Sequence, residues 1–202
     1  MCGRYTIAAV AGIGERFGVS SHPAWLRPRY NAAPSQRLPV VCGDGERQVC
    51  PAVWGMGEGG KIINARAGSM HERPLFSSLL KGGRCLVPAD GFYEWDRMKR
   101  PYYFTLPDSP LFAFAGLVSE ERQFVILTTE SNAVVAPVHG RMPVILRRED
   151  EGRWLSGADA EEVCTPYPAA GMERRRVGSG VSDPANDDPS LILSPEGARE
   201  WW

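Results

Sequence analysis

The sequence lacks the features that mark membrane, secreted and metal-binding proteins. No stretch of its 202 residues approaches the run of about 18 apolar positions that a membrane-spanning helix needs. The start has no basic segment followed by an apolar one, so no signal peptide is predicted. The five cysteines are odd in number and scattered, without zinc-ligand spacing. We therefore expect a cytoplasmic protein with no disulfide framework, no metal and no other cofactor.

Net charge is also small, but it is unevenly distributed. The formal net charge of −1 argues against a general nucleic-acid coat protein. Residues 1–105 nevertheless contain 14 Lys and Arg against 8 Asp and Glu, whereas the remainder contains 9 against 16. This asymmetry indicates either an anion-binding face in the first half or an accident of composition.

The apolar pattern predicts more strands than helices. Segments 37–42 and 48–54 flank a glycine-containing turn and predict a hairpin. Further strands are predicted at 84–87, 91–95, 102–106, 111–118 and 123–129. Strands without regular helical crossovers predict an α+β fold. We expect a single domain over 1–202, with a mainly antiparallel, β-barrel-like core and flanking short helices.

The helices predicted around this core are short. They are expected at 8–17, 75–81, 131–136, 149–155 and 195–202. Gly82 is the expected left-handed cap of the second helix, and Ser194 is the expected N-cap of the last. Segments 20–36 and 178–190 are rich in proline and glycine, and we expect long surface loops there.

Cys2 is the residue with the strongest chemical signal. Once Met1 is removed, an N-terminal cysteine carries an α-amine with a pKa of about 8 beside a thiol with a pKa of about 8.5. The amine can act as base for the thiol. Alternatively, it can condense with an aldehyde to an imine, which the thiol then traps as a five-membered thiazolidine. On this dipeptide alone, a chance cysteine after the initiator is the competing interpretation.

Polar residues in apolar contexts extend this signal. Asn64, Glu94 and His139 each lie among apolar or aromatic neighbours, and Arg66 and Arg141 follow two positions after Asn64 and His139. A buried carboxyl group has a raised pKa, which suits a general acid or base. The plainer alternatives are a solvent-facing glutamate, a core histidine, a turn asparagine and arginines in ordinary ion pairs.

These residues lie in segments that together resemble the SOS response-associated peptidase (SRAP) family, the abasic-site processing proteins. The segments run in order along nearly the whole chain: MCGRY at 1–5, YNAAP at 30–34, VWG at 53–55, INAR at 63–66, RCLVPADGFYEW at 84–95, FAFAGL at 112–117, ILTT at 126–129, HGRMPVIL at 139–146 and NDDPSLI at 186–192. The segments at 84–95 and 139–146 are the most specific.

The resemblance implies a catalytic mechanism. Family members bind single-stranded DNA and link covalently to the C1′ aldehyde of a ring-opened abasic site, here through the amine and thiol of Cys2. The resemblance assigns Asn64 to positioning the N-terminal residue, Glu94 to proton transfer and His139 to opening of the sugar ring. It also implies a peptidase that removes the residue ahead of Cys2, and it leaves a lyase activity open.

The resemblance further implies how DNA is held. Arg4, Arg66 and Arg141 would bind phosphates, to which their guanidinium groups are suited. Thr128 or its neighbour would line the same pocket, and bases could stack on Trp54, unless that ring packs in the core. The segment at 56–63 is shorter than in many family members and has no aromatic residue. The expected partner is single-stranded DNA with abasic sites, bound by a monomer that associates with the nucleoid.

Two other hypotheses compete with this one. Some glutamine-dependent amidotransferases also begin with Met-Cys-Gly, so Cys2 could serve an N-terminal-nucleophile amidohydrolase. This sequence shows no further motif of that group. The other hypothesis is a binding module without catalysis, in which the N-terminal segment is only a buried strand.

Overall fold

Strands form most of the regular structure in the computed structural model, which describes residues 2–20 and 23–195. The strands are β1 Arg4–Ile7, β2 Arg29–Ala32, β3 Arg37–Cys42, β4 Gln48–Trp54, β5 Asn64–Arg66, β6 Arg84–Ala89, β7 Gly91–Trp95, β8 Pro101–Thr105, β9 Phe112–Val118, β10 Gln123–Glu130, β11 Arg141–Pro143, β12 Ile145–Leu146 and β13 Glu173–Arg176. The α-helices are α1 Ile13–Phe17, α2 Pro74–Ser77, α3 Leu79–Gly82, α4 Arg148–Leu155 and α5 Ala160–Val163. None of these helices is long and apolar enough to cross a membrane.

The strands form two sheets. The first has five strands in the order β13-β8-β7-β1-β2. The second has eight strands, and its β3, β4, β10, β9 and β6 pair in a closed ring. The pairs are antiparallel except those of β10 with β4 and with β5. This arrangement confirms the predicted mixed fold with a barrel-like core and short helices.

The core lies inside the ring and between the two sheets. Strands β9 and β10 are buried along most of their length, as their continuous apolar sequences require. Gly116 allows this packing, because a Cβ atom there would lie 2.9 Å from the Cys85 sulfur. Gly91 has the same role in the first sheet, where a Cβ atom would lie 2.2 Å from the Tyr103 ring. Both glycines are therefore fixed by packing.

The segment after β13 is tied back to β2. The Asn31 side chain is buried, and its Nδ2 donates to three backbone carbonyls between residues 181 and 186, at 2.9 to 3.2 Å. The carboxylate of Asp187 accepts the backbone N–H groups of Tyr30 and Asn31, at 2.6 and 2.9 Å. These bonds give the YNAAP and NDDPSLI segments a structural role, as two halves of one contact.

Several local predictions require correction. Residues 131–136 form turns instead of a helix: the Asn132 side chain accepts the backbone N–H groups of Val134 and Val135 as an N-cap does, but Pro137 has no N–H to extend the helical bonding. Gly82 lies inside α3, and the helix ends at Gly83 with φ of −107°, so the left-handed cap is wrong. The loop expected at 20–36 contains β2.

Other local predictions hold in part. The hairpin of β3 and β4 and the helix at 149–155 are confirmed. The helix expected at 8–17 begins as a 3-10 turn and is α-helical only over α1. The helix expected at 195–202 lies outside the described residues, apart from its first position. All five cysteines are free thiols, as expected.

A buried ion pair joins α4 to α1. The Glu151 side chain is 2% exposed, and its carboxylate accepts Nη1 and Nη2 of Arg16 at 3.0 and 2.5 Å. We expect Glu151→Ala to lower the free energy of unfolding by about 3 kcal/mol, because it leaves a buried guanidinium without its carboxylate. Urea denaturation measures this loss.

Glu162→Ala is the matched control, because Glu162 is 63% exposed in its bond to Arg153. That change should cost about 1 kcal/mol or less. If the two variants lose equal stability, the Arg16–Glu151 pair does not hold the helices together.

Candidate active site

The register of β1 and β7 places the N-terminal segment beside Glu94. Arg4 lies opposite Tyr93, and Thr6 lies opposite Gly91. Because the two strands are antiparallel, the residues before Arg4 run along the end of β7 that holds Glu94 and Trp95. Cys2 therefore lies next to the carboxyl group of Glu94, and the charge of Glu94 acts on its thiol.

The Cys2 thiol is fully buried and held in its protonated form. Its Sγ donates to the carbonyl oxygen of Arg4 at 3.8 Å. Burial raises the pKa of the Cys2 thiol well above its ordinary value, and the negative charge of Glu94 raises it further. The sulfur is therefore a poor nucleophile until a base takes its proton.

Asn64 connects this segment to the second sheet. It begins β5, which lies beside β10 with Asn64 opposite Ile126. Its Nδ2 donates to the carbonyl oxygen of Cys2 at 2.9 Å. Its Oδ1 is buried and has no hydrogen-bond partner among the residues that the structure describes. Asn64 thus fixes the backbone of Cys2 and holds a buried acceptor beside it.

Glu94 and His139 complete the polar part of the site. Burial raises the pKa of the Glu94 carboxyl group, which is 3% exposed, while the nearby imidazole of His139 acts in the opposite direction. His139 is half-buried, and its Nδ1 lies 3.0 Å from both the N–H and the carbonyl oxygen of Arg141. The backbone of Arg141 therefore fixes the imidazole ring of His139. Because its pKa is raised, the Glu94 carboxyl group stays protonated at higher pH than that of an exposed glutamate.

A cleft that contains both arginine and glutamate side chains lies along β10. Thr128 on β10 is opposite both Arg66 and Pro143, so β5 and β11 flank it. Nη2 of Arg141 donates to the Thr128 carbonyl at 2.9 Å and also to its hydroxyl oxygen. Arg66 is exposed. The burial of Arg141 lowers the pKa of its guanidinium group, and the positive charge of Arg66 lowers it further. Glu130 and Glu161 line the same cleft, and the charge of Glu130 acts on Arg141 in the opposite direction, so the cleft holds two guanidinium groups and two carboxylates.

The cleft has a volume of about 460 Å³. Its lining residues are Arg66, Ala67, Gly68, Ser69, Thr128, Thr129, Glu130, Arg141, Ala160, Glu161 and Cys164. Within residues 2–20 and 23–195, no group of three or more His, Cys, Asp or Glu side chains could hold a metal ion.

Arg4 and Trp54, the other two predicted DNA-binding residues, do not line this cleft. Arg4 is half-buried at the start of β1, and its Nη2 donates to the carbonyl of Ser182 at 3.3 Å. Trp54 is fully buried, stacks on Phe124 and donates its indole N–H to the Ile63 carbonyl at 2.9 Å. No face of the Trp54 ring is open to a base, so the predicted stacking role is wrong. Trp54 instead supports the residue that precedes Asn64.

Asp90 is a residue whose role the sequence did not reveal. Its carboxylate accepts the backbone N–H groups of Ala8 and Ala9 at 2.6 and 2.8 Å, and it also accepts the Thr6 hydroxyl. The Thr6 hydroxyl lies 2.7 Å from that of Tyr103. This network fixes the far end of β1. The signal in the sequence was an acidic residue between a buried strand and Gly91.

Comparison with known proteins identifies the family. The sequence model of the SOS response associated peptidase (SRAP) family matches residues 1–184. The chain belongs to the SRAP family. Abasic site processing protein YoqW of Bacillus subtilis is 36% identical over 223 residues, which cover 96% of this chain and 100% of that protein.

Further relatives agree with the SRAP assignment. Abasic site processing protein YoaM of B. subtilis is 35% identical over 221 residues, covering 95% of this chain and 97% of that protein. A solved structure from Bacteroides thetaiotaomicron has a TM-score of 0.81 at 23% identity, and covers 96% of this chain and 100% of that one. The match to the family model confirms the resemblance of the sequence segments to the SRAP family, and the solved structure shares the fold of the chain.

The burial of Cys2 predicts low thiol reactivity in protein that retains Met1. Iodoacetamide alkylates the thiolate, and each unit of pKa increase lowers the thiolate fraction about tenfold. We expect Cys2 to be alkylated at least about tenfold more slowly than the half-buried Cys50 in the folded protein, and at a similar rate in guanidinium. Peptide mass spectrometry measures both rates. Equal rates in the folded protein would contradict the described environment of the thiol.

Proposed function

We propose that this protein captures abasic sites in single-stranded DNA through a covalent thiazolidine link to Cys2. The relatives YoqW and YoaM are named abasic site processing proteins. The observation that best supports the proposal for this chain is the bond from Asn64 to the Cys2 carbonyl, which holds the second residue next to Glu94. A residue fixed in this way is one whose main-chain amine has a defined place once Met1 is gone.

The first step of the proposed function is the removal of Met1. Hydrolysis of the Met1–Cys2 peptide bond consumes one water and leaves the α-amine of Cys2 beside its own thiol. The family description includes a peptidase, and we propose that the chain carries out this cleavage on itself. The Oδ1 atom of Asn64, which has no partner among the described residues, is the acceptor that the new amine would use.

The second step is condensation with the aldehyde. His139 assists ring opening of the sugar by moving the proton of the 1-hydroxyl to the ring oxygen. The neutral amine of Cys2 adds to the C1′ carbonyl, and protonated Glu94 donates its proton as the hydroxyl leaves as water. The thiol then adds to the resulting iminium carbon and gives its proton to the Glu94 carboxylate. One water is lost overall, and Glu94 ends as it began.

Three arginines near the site can bind phosphate. Arg66 and Arg141 line the cleft beside Thr128, together with Glu130 and Glu161, and Arg4 is at the start of β1. Guanidinium groups bind phosphate oxygens in pairs of hydrogen bonds. We propose that these three arginines hold the phosphates that flank the abasic sugar, so that the strand passes over Cys2.

Loss of the cysteine is the direct test of the link. Protein without Met1, checked by intact mass, is incubated with single-stranded DNA that carries one abasic site and analysed on a denaturing gel. We expect a shifted band for the wild type and for Cys50→Ala, and no band for Cys2→Ala.

One result would contradict the proposed link, and two further observations would then distinguish the alternatives. A wild type that forms no covalent band contradicts it. A noncovalent shift without a covalent band would favour a binding module, and hydrolysis of glutamine by the same preparation would favour an amidohydrolase.

The raised pKa of Glu94 predicts the pH dependence of cross-linking. A carboxyl group with a raised pKa keeps its proton, and so can act as an acid, until the pH rises through that higher value. The wild-type rate should therefore rise as the amine deprotonates and fall as Glu94 ionises. Glu94→Gln should lack the alkaline fall and react about 100-fold or more slowly at the wild-type optimum.

Binding of undamaged single-stranded DNA is the control for Glu94→Gln. The dissociation constant should be unchanged, because the substitution keeps the shape of the side chain. A collapse of binding, or an unaltered pH profile, would mean that Glu94 has a structural role only.

A further inference from the structure

The turn between β7 and β8, residues 96–100, is rigid and neutralises its own acidic charge. The Asp96 carboxylate accepts the backbone N–H groups of Met98 and Arg100, both at 2.9 Å, and Nε of Arg100 at 2.6 Å. Backbone bonds between Asp96 and Arg100 and from Lys99 to Asp96 close the turn. The turn is thus preorganised, and its carboxylate is occupied within it.

The side chains at the tip of this turn are solvent-exposed. Arg97 and Lys99 are exposed, and neither side chain has a hydrogen bond or ion pair with another described residue. Lys99 has a φ of 62°, in the left-handed region that is unfavourable for a lysine, so the turn holds its backbone in a strained conformation. Met98 lies between them and is 71% exposed, the highest value among the large apolar side chains of the described residues.

An exposed apolar side chain between two exposed cations matches the chemistry of a nucleic acid. Lysine and arginine bind the phosphates, while an apolar side chain packs against or between the bases. Arg176 on β13 adds a further exposed cation nearby, because it lies opposite Tyr102, two positions after the turn. The surface therefore continues along the edge of the first sheet.

The strand register places this tip beyond the active-site end of the first sheet. Arg4 lies opposite Tyr93, so Cys2 and Glu94 are at the end of β7 from which the turn extends. Met98 comes four positions after Glu94. At about 3.3 Å per residue, the Cα atoms of Glu94 and Met98 lie no more than about 13 Å apart. That distance corresponds to four or fewer nucleotides at about 3.4 Å per phosphate.

We propose that the 96–100 turn is a second DNA-contacting surface that holds the strand on one side of the lesion. Arg97 and Lys99 bind phosphates, and Met98 packs against a base within about four nucleotides of the abasic sugar. This inference rests on the proposed function, because it takes the Cys2 site as the place where the lesion lies.

The test uses fluorescence anisotropy with undamaged single-stranded DNA and the variant Arg97→Ala/Lys99→Asn. Asparagine is chosen because it tolerates the left-handed backbone. Each lost phosphate contact should reduce the slope of log affinity against log salt by about 0.7, or about 1.4 for both. The affinity ratio of wild type to variant should therefore shrink about sevenfold between about 50 and about 200 mM salt.

The matched control removes the same charge elsewhere. Lys81→Ala/Arg148→Ala changes two exposed cations on α3 and α4, which pack on the second sheet. This variant should keep the wild-type salt slope. Met98→Ser should weaken binding about five- to tenfold, and Met98→Leu should retain it, because leucine keeps the apolar volume.

Abasic oligonucleotides with flanks trimmed on one side locate the contact. The defect of Arg97→Ala/Lys99→Asn in cross-linking rate should disappear when one particular flank is cut back next to the lesion, and persist when the other is cut.

If the wild type cross-links but the tip variants match it in affinity, salt slope and flank dependence, the turn does not contact DNA. A partner of another class, such as a protein, would give that same result. If the wild type does not cross-link at all, the proposed function fails, and the binding measurement on undamaged DNA still decides the role of the turn.

Discussion

The hydrogen bond from Asn64 to the carbonyl of Cys2 is the contact on which the arrangement of the site depends, because it joins the two sheets at the N-terminal residue. Glu94 lies in the first sheet and Cys2 lies two positions before the start of its strand β1, whereas Asn64, Thr128 and His139 are placed by β5, β10 and the segment before β11 in the second. The charge interaction between Glu94 and His139 connects the same two groups of residues. The burial of Trp54 behind Ile63 supports the same point from within the core.

Burial gives this site its proton chemistry and also costs stability. The thiol of Cys2 and the carboxyl of Glu94 are both enclosed, and enclosure raises the pKa of each. A carboxyl group with a raised pKa in the folded chain makes the fold less stable as the pH rises above the ordinary carboxyl value, because ionisation in the core is then unfavourable. The bonds of Asp90 to the far end of β1 and the packing of Gly91 against Tyr103 hold the strand in place despite this cost.

Sequence reasoning identified what depends on local pattern or on unusual chemistry. The β3–β4 hairpin follows from alternating strands and a glycine turn, and Cys2 and Glu94 are conspicuous because of their chemical type and context. The sequence alone could not predict that Trp54 is buried, because only the packing of β4 decides which face of that strand meets the core. It also could not find the role of Asp90, whose main-chain partners lie more than 80 positions earlier in the chain. The failed helix at 131–136 has a local cause, because Pro137 has no backbone N–H to extend the turn that the Asn132 side chain caps.

The central claim is that both nucleophiles of Cys2 are consumed in the link to DNA, and peptide mapping of the covalent adduct tests it most directly. Nuclease and trypsin digestion should release a peptide that begins at Cys2 and ends at Arg4, without Met1 and with the abasic sugar added less one water. Its sulfur should resist alkylation, and the adduct should survive without prior borohydride reduction, because the thiazolidine ring uses the thiol as well as the amine, whereas an imine alone would leave the thiol free. An adduct whose thiol is alkylated, or one attached at any other residue, would contradict the account.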